Sequence, residues 1–288
     1  MLISDTFMDN DRIDQILSGS FDFHVYSSPD PFLARRMDGL DVARLAYESE
    51  MSGFVLNSDY YSTAPLASTL QRMYPGLLVT GSVTLNEAVG GINPQAVRIA
   101  AKLGARVVSM PTVSADFWMK QNNLGNGISL LREPGHLDPS LLKILDIIVS
   151  EDMILTTGNI SPKECINLLN RAQEVGVKKM IVNDVSHISN ADHLKEIAAT
   201  GAVIEHSLLS CMPTERKLSP KQLTDSIYTA GVGNSILSTH LGQIENPPPS
   251  EGMRMAIAML LNEGMSSNDI SKLVKETPLN LVQDRTPG

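Results

Sequence analysis

The segment Phe21-Asp22-Phe23-His24-Val25-Tyr26 sets a carboxylate, an imidazole and a phenol at every second position. In an extended strand alternate side chains share a face, so Asp22, His24 and Tyr26 point one way and Phe21, Phe23 and Val25 the other. A carboxylate and an imidazole removed from water require hydrogen-bonding partners. This face therefore predicts a polar centre, either a structural triad or a site that moves protons. Further apolar runs also end in groups that can carry a proton, bind a metal or hold a substrate oxygen. Their polar ends include Asp59, Asn159, Asp184, His206 and His240.

Eight such runs occur, at residues 21–26, 53–59, 77–85, 106–112, 153–159, 179–184, 203–206 and 236–240. They are continuous rather than alternating, as parallel strands buried on both faces should be. Between them lie helix signals. Asn93-Pro94, Asp138-Pro139, Ser161-Pro162 and Ser219-Pro220 each pair a capping side chain with a proline at the first helical position. Gly104, Gly176 and Gly231 stand near the expected helix ends. Strand starts fall near 20, 53, 77, 105, 152, 178, 202 and 235, one βα unit of roughly 30 residues apart except for a longer fourth interval. The expected fold is an α/β (β/α)8 TIM barrel, in which polar residues at strand ends form the active site. An open doubly wound sheet lacks its glycine-rich phosphate loop here.

A single barrel domain is expected over residues 1–288. It has an N-terminal cap segment at 1–19 and a long loop at 113–137 after the fourth strand, read as a lid, a partner contact or an inert insertion. At 265–288 a helix that stops around Thr277-Pro278 and a tail are expected. The core must be mainly aliphatic, since 42% of residues are hydrophobic but only 5% aromatic. A net charge of −9 without any Lys/Arg cluster argues against nucleic acid as a partner. No apolar run approaches the ~20 residues that span a bilayer, and residues 1–10 do not read as a signal peptide. With only Cys165 and Cys211, both read as structural thiols, the expectation is a cytoplasmic protein. Its partner would be a small-molecule substrate, with a homo-oligomer left open.

The chain resembles the amidohydrolase superfamily, and within it an uncharacterised branch. The resemblance is carried by residues 22–30, Asp-Phe-His-Val-Tyr-Ser-Ser-Pro-Asp, and by Gly90-Gly91-Ile92-Asn93-Pro94 and Met110-Pro111-Thr112. Thr157-Gly158-Asn159-Ile160-Ser161-Pro162, Ile204-Glu205-His206, Leu237-Ser238-Thr239-His240-Leu241-Gly242-Gln243 and Asn246-Pro247-Pro248-Pro249 continue it, and residues 277–281 end it. It implies hydrolysis of an amide, lactone or ester by water activated on one or two divalent metals. The positions that would hold those metals depart from the pattern. His24 matches the first histidine; Tyr26 stands for the second, Asn159 for the fifth-strand histidine, Asp184 for the sixth and His240 for the eighth-strand aspartate.

Three readings follow. His24, Asp184 and His240 form a two-histidine, one-carboxylate set suited to one zinc, manganese or iron ion. Alternatively the site works without metal: His206 or His240 is the general base, Asp59 or Asp184 orients it, and Tyr26, Asn57 and Asn159 stabilise an oxyanion. Such a site suits hydrolysis of a C–N or C–O bond, or a lyase reaction such as decarboxylation or dehydration. The third reading is a catalytically inactive barrel that binds a ligand or partner. Arg35, with Arg36 and Lys120, is a candidate for holding an anionic substrate, against a plain solvated surface. Glu205 is expected to face away from His206, toward the helices.

Overall fold

The computed structural model describes residues 3–133, 136–183, 196–197 and 199–283, with side chains described from residue 10 except at Glu133. Ten strands are present among them: β1 Phe21–Tyr26, β2 Gly53–Asn57, β3 Leu78–Thr84, β4 Ala105–Ser109, β5 Leu131–Glu133, β6 His136–Leu137, β7 Ile154–Thr156, β8 Met180–Val182, β9 Val203–Ser207 and β10 Ser235–Ser238. Eight of these make one sheet in the order β1-β2-β3-β4-β7-β8-β9-β10, and β5 with β6 forms a separate antiparallel pair. The sheet order follows the chain order, helices alternate with the strands, and β1 is bridged to the segment after β10 through Val25 and Leu241. This is the single-domain (β/α)8 fold. Each of the eight strands starts within two residues of the position expected from sequence.

The helix starts are as expected. Asn93 accepts from the Gln95 and Ala96 N–H groups, Asp138 from Ser140, Ser161 from Glu164 and Ser219 from Gln222, with the proline at the first helical position in every case. Ser161 and Glu164 form a reciprocal capping box at the start of the helix Pro162–Val175. Glu164 does more than cap. Its second oxygen accepts from the Ser129 hydroxyl at 2.7 Å and the Leu130 N–H at 2.8 Å, fastening the long loop to the helix. Ser161→Ala is therefore expected to cost ~1 kcal/mol. Glu164→Ala should cost about 2 kcal/mol, because it also strips two donors of the loop. Equal midpoints in urea denaturation for the two variants would count against this division.

Two expectations about elements need correction. The loop at 113–137 is not bare: it holds the helix Asp116–Gln121 and the β5–β6 hairpin. Thr277-Pro278 does not end the last helix. The chain runs from Ser267–Ser271 through a π-helical turn, Lys272–Glu276, into Thr277–Val282. The wide turn before the proline accommodates its missing N–H and its ring, so the helical path continues.

The chain packs as two compact units. The first is Met1–Val55, Thr69–Val79 and His206–Gly288. Its core joins β1 to the closing segment, with the Tyr26 N–H donating to the Leu241 carbonyl at 2.9 Å. The helix Ile3–Leu17 packs on the helix Pro249–Asn262, and Asp14 is paired with Arg254. The second unit is Leu56–Ser68 and Thr80–Glu205. Here β3, β4, β7, β8 and the first part of β9 run in parallel register, with Val107 beside Ile154, Thr156 beside Ile181 and Val182 beside Ile204. No described helix is long and apolar enough to cross a membrane.

Candidate active site

Several polar residues that close the apolar runs sit just beyond the strands. Asp59, Asn159 and His240 lie two or three residues past the ends of β2, β7 and β10, where the backbone is already turning. His240 itself has φ +59°, a left-handed conformation that non-glycine residues adopt at a cost of roughly 1–3 kcal/mol. The turn that follows is equally constrained. A Cβ on Gly242 would lie 2.4 Å from the Tyr26 carbonyl oxygen, so the segment after β10 can approach β1 only with glycine there.

The strain at His240 has a visible counterpart. Its ring stacks on that of His24, with centroids 3.7 Å apart and planes 16° from parallel. His24 Nε2 and the Tyr26 hydroxyl are 3.2 Å apart. His24 is buried, whereas His240 is only half-buried and can be reached from solvent. Beneath the pair lies Asp22, fully buried. One of its oxygens accepts from the His24 N–H at 3.1 Å and the Thr239 N–H at 3.0 Å; the other accepts from the Thr239 hydroxyl at 2.5 Å. Burial pushes the Asp22 carboxyl up to about 6, although the Thr239 and His24 bonds and the His24 charge pull the other way. Asp22 thus ties both histidine-bearing segments together.

Arg35 is neither a solvated side chain nor an available anion site. Its Nε and Nη2 reach Asp30 Oδ2 at 2.8 and 2.6 Å, the two side chains are 3% and 5% exposed, and the guanidinium lies 4.4 Å from the Tyr26 ring centroid. Burial of Asp30 favours its neutral form. Bonds from the Phe32 and Leu33 N–H groups and from Arg35 outweigh that and hold the carboxyl below its ordinary range. Arg36 is also engaged, donating to the Asn246 carbonyl and, at 2.6 Å, to that of Ile244.

His206 is placed elsewhere. Its Nε2 is 3.3 Å from the hydroxyl of Ser235, the first residue of β10, and that hydroxyl donates to the Gly231 carbonyl at the end of the helix Pro220–Ala230. His240 follows the other end of the same strand. The faces of β9 are therefore exchanged relative to the expectation. His206 turns toward the helix end, and Glu205, buried on the opposite face, accepts from Asn183 Nδ2 at 2.5 Å. Alternation fixes that the two differ but not which is which.

In the second unit Asp59 is buried and accepts from the Thr112 hydroxyl at 2.6 Å. Asn86 holds this arrangement: its Nδ2 donates to the Asp59 carbonyl and lies 2.7 Å from the Thr112 hydroxyl, and its Oδ1 accepts from the Thr112 and Ser114 N–H groups. Asn86 follows the run at 77–85, so the rule that singled out Asp59 and Asn159 would also have found it. Asn57 is the buried last residue of β2. Asn159 is half-buried and fixed through its N–H to the Pro111 carbonyl at 2.9 Å. Its neighbour Gly158 is packed so close to Met110 and Pro111 that a Cβ would meet backbone at 2.4 Å. Asp184 lies outside the described residues. Cys165 and Cys211 are unbridged, and burial pushes their thiols up to about 12 and 11, so neither is a thiolate at neutral pH.

Two histidines that share a metal must aim in-plane nitrogen lone pairs at one point about 2.0–2.1 Å from each. Rings stacked nearly parallel at 3.7 Å aim those lone pairs side by side. The His24–His240 geometry therefore does not fit a shared cation. Among the described residues no group of three or more His, Cys, Asp or Glu side chains could hold a metal ion.

The architecture and the strand-end polar residues define a (β/α)8 barrel of the kind found in several hydrolases of known structure. The probable dipeptidase PvdM from Pseudomonas aeruginosa is similar over 96% of this chain and 98% of its own, at 12% identity and a TM-score of 0.66. The phosphotriesterase homology protein from Escherichia coli, complexed with phosphate in its active site, covers 92% and 99% at 13% identity, TM-score 0.63. The TatD homologue YJJV from Escherichia coli covers 92% and 96% at 14% identity, TM-score 0.56. The chain belongs to the family described as "Family of unknown function (DUF6282)", which matches residues 19–205. No curated protein matches it.

Proposed function

We propose that this protein is an amidohydrolase-like enzyme that hydrolyses a C–N or C–O bond of a small molecule, with His240 as general base. The observation that carries the reading is the His24–His240 stack with Tyr26 on His24 Nε2. The names of the similar barrels, a probable dipeptidase, an amidohydrolase and a phosphotriesterase homology protein, support hydrolysis as the class of reaction. Because the stacked pair does not fit a shared metal, no step is routed through one.

The division of labour follows from the contacts. In this reading His24 carries its proton on Nε2 and donates to the Tyr26 oxygen, and the phenolic O–H turns to a substrate carbonyl when one is bound. His240, the half-buried partner, takes a proton from water as that water attacks the carbonyl carbon. Charge gathers on the carbonyl oxygen, where the Tyr26 O–H meets it. Collapse re-forms the C=O, breaks the C–N or C–O bond, and passes the proton from His240 to the leaving nitrogen or oxygen. Two imidazolium charges at 3.7 Å would repel strongly, so the pair works with one ring charged at a time.

A screen of neutral amides, lactones and carboxylic esters tests this. Turnover of at least one class is expected, and Tyr26→Phe should lower its kcat by roughly tenfold or more. Absence of turnover across the three classes would instead favour a ligand-binding barrel.

A further inference from the structure

We propose that the two loops flanking the stacked histidines form a subsite for an uncharged, apolar substituent of the substrate. The substrate class is then a neutral amide, lactone or ester bearing an aryl or branched alkyl group. This deepens the hydrolase reading and rests on it.

The first loop, residues 27–38, continues from Tyr26; the second, residues 239–248, carries His240. They are joined as one structure. Arg35 and Gln243 form an antiparallel bridge, the Arg36 N–H donates to the Gly242 carbonyl at 2.9 Å, and Gln243 Nε2 donates to the His240 carbonyl at 3.0 Å. The two arginines are the only Lys or Arg residues of these loops, and both are engaged, Arg35 with its side chain buried and Arg36 exposed. Arg35 is bound to Asp30 and Arg36 to the carbonyls of Ile244 and Asn246. Arg35 is neutralised by Asp30, and the Arg36 nitrogens Nε and Nη2 are already committed to carbonyls.

Among the exposed side chains of these loops, beside the charged Arg36, Asp38 and Glu245, three are large and apolar. Phe32 is 75% exposed, Leu33 53% and Ile244 50%. These side chains stand on fixed backbone: the Phe32 and Leu33 N–H groups donate to Asp30 Oδ1 at 3.0 and 2.9 Å, and Arg36 holds the Ile244 carbonyl at 2.6 Å. Backbone held in this way needs no ordering when a ligand arrives, and covering the exposed aromatic and branched side chains is favourable. Loops that follow barrel strands are where such folds place substrate specificity.

Binding, measured separately from turnover, decides the matter. The full-length chain would be titrated calorimetrically with phenylacetamide, a neutral aryl amide, and with succinamate, an anionic amide without an apolar group. Phenylacetamide is expected to bind at least tenfold more tightly. A triple variant, Phe32→Ser, Leu33→Ser and Ile244→Ser, should weaken it by ~10-fold or more. Because Kd is read without turnover, failure of the catalytic reading does not masquerade as failure of the subsite. No measurable phenylacetamide binding, equal affinity for the two amides, or unchanged affinity in the triple variant would overturn the proposal. So would sedimentation showing a dimer that the triple variant dissociates without change in phenylacetamide affinity, which assigns the patch to a second copy of the chain.

Discussion

Replacing His240 with glycine is expected to lower kcat/KM by the ~10²–10⁴ typical of a lost general base while leaving the fold intact. Glycine is the informative choice because residue 240 sits at φ +59°. Glycine adopts that conformation without strain, whereas alanine does not. Two effects that usually travel together therefore separate. Both His240→Gly and His240→Ala should lose activity, but the glycine variant should be the more stable, by about 1 kcal/mol in chemical denaturation. Activity within tenfold of the parent in either variant would remove His240 from the mechanism. Greater stability for alanine than for glycine would mean that the backbone at 240 is not held as described.

The second large effect concerns Asp22 and pH. Its carboxyl is pushed up to about 6 in the folded protein, from an ordinary 3.8, chiefly by complete burial. A carboxyl whose folded pKa is raised binds protons more readily in the native state than in the unfolded chain. Its contribution to stability is fully present below about 3.8 and is lost as pH rises through about 6. The loss amounts to roughly 3 kcal/mol by the usual conversion of a pKa difference. The amide introduced by Asp22→Asn would be neutral at every pH and could still accept from the Thr239 N–H. The stability of the parent relative to Asp22→Asn is thus expected to fall between about pH 4 and 7, most steeply at pH ~5, midway between the two values. Asp30, Asp116 and Asp138 are all held below the ordinary range and act with the opposite sign. Being common to both proteins, they cancel in the difference. A difference that is flat or rises across this window would show that Asp22 is charged and well solvated in the native state.

The Asp22 result bears on function because Asp22 touches both segments of the pair through His24 and Thr239. Substituting it with a residue that cannot accept would free the two backbones from each other. The stacking at 3.7 Å depends on their separation.

Local patterns in the sequence determined the framework. Continuous β-branched and aliphatic runs specify parallel strands, and four cap-proline pairs specify helix starts, because both signals act over a few residues and need no tertiary partner. The same is true of β1, where strict alternation put Asp22, His24 and Tyr26 on one face. Tertiary structure decided the rest. Alternation says that Glu205 and His206 part company, but only the packing of β9 against its neighbours chooses which one meets the helix end. Arg35 reads as a surface cation until Asp30, five residues earlier, folds back to bury it. Asn86 is legible as a strand-end polar residue, but that it receives Thr112 and Ser114 from another loop is not. The histidine pair itself joins residues 24 and 240, at opposite ends of the chain. Nothing in either segment specifies ring against ring; that contact exists because the closing strand lies beside the first, and because Gly242 lets the turn after it approach Tyr26 without a side chain in between.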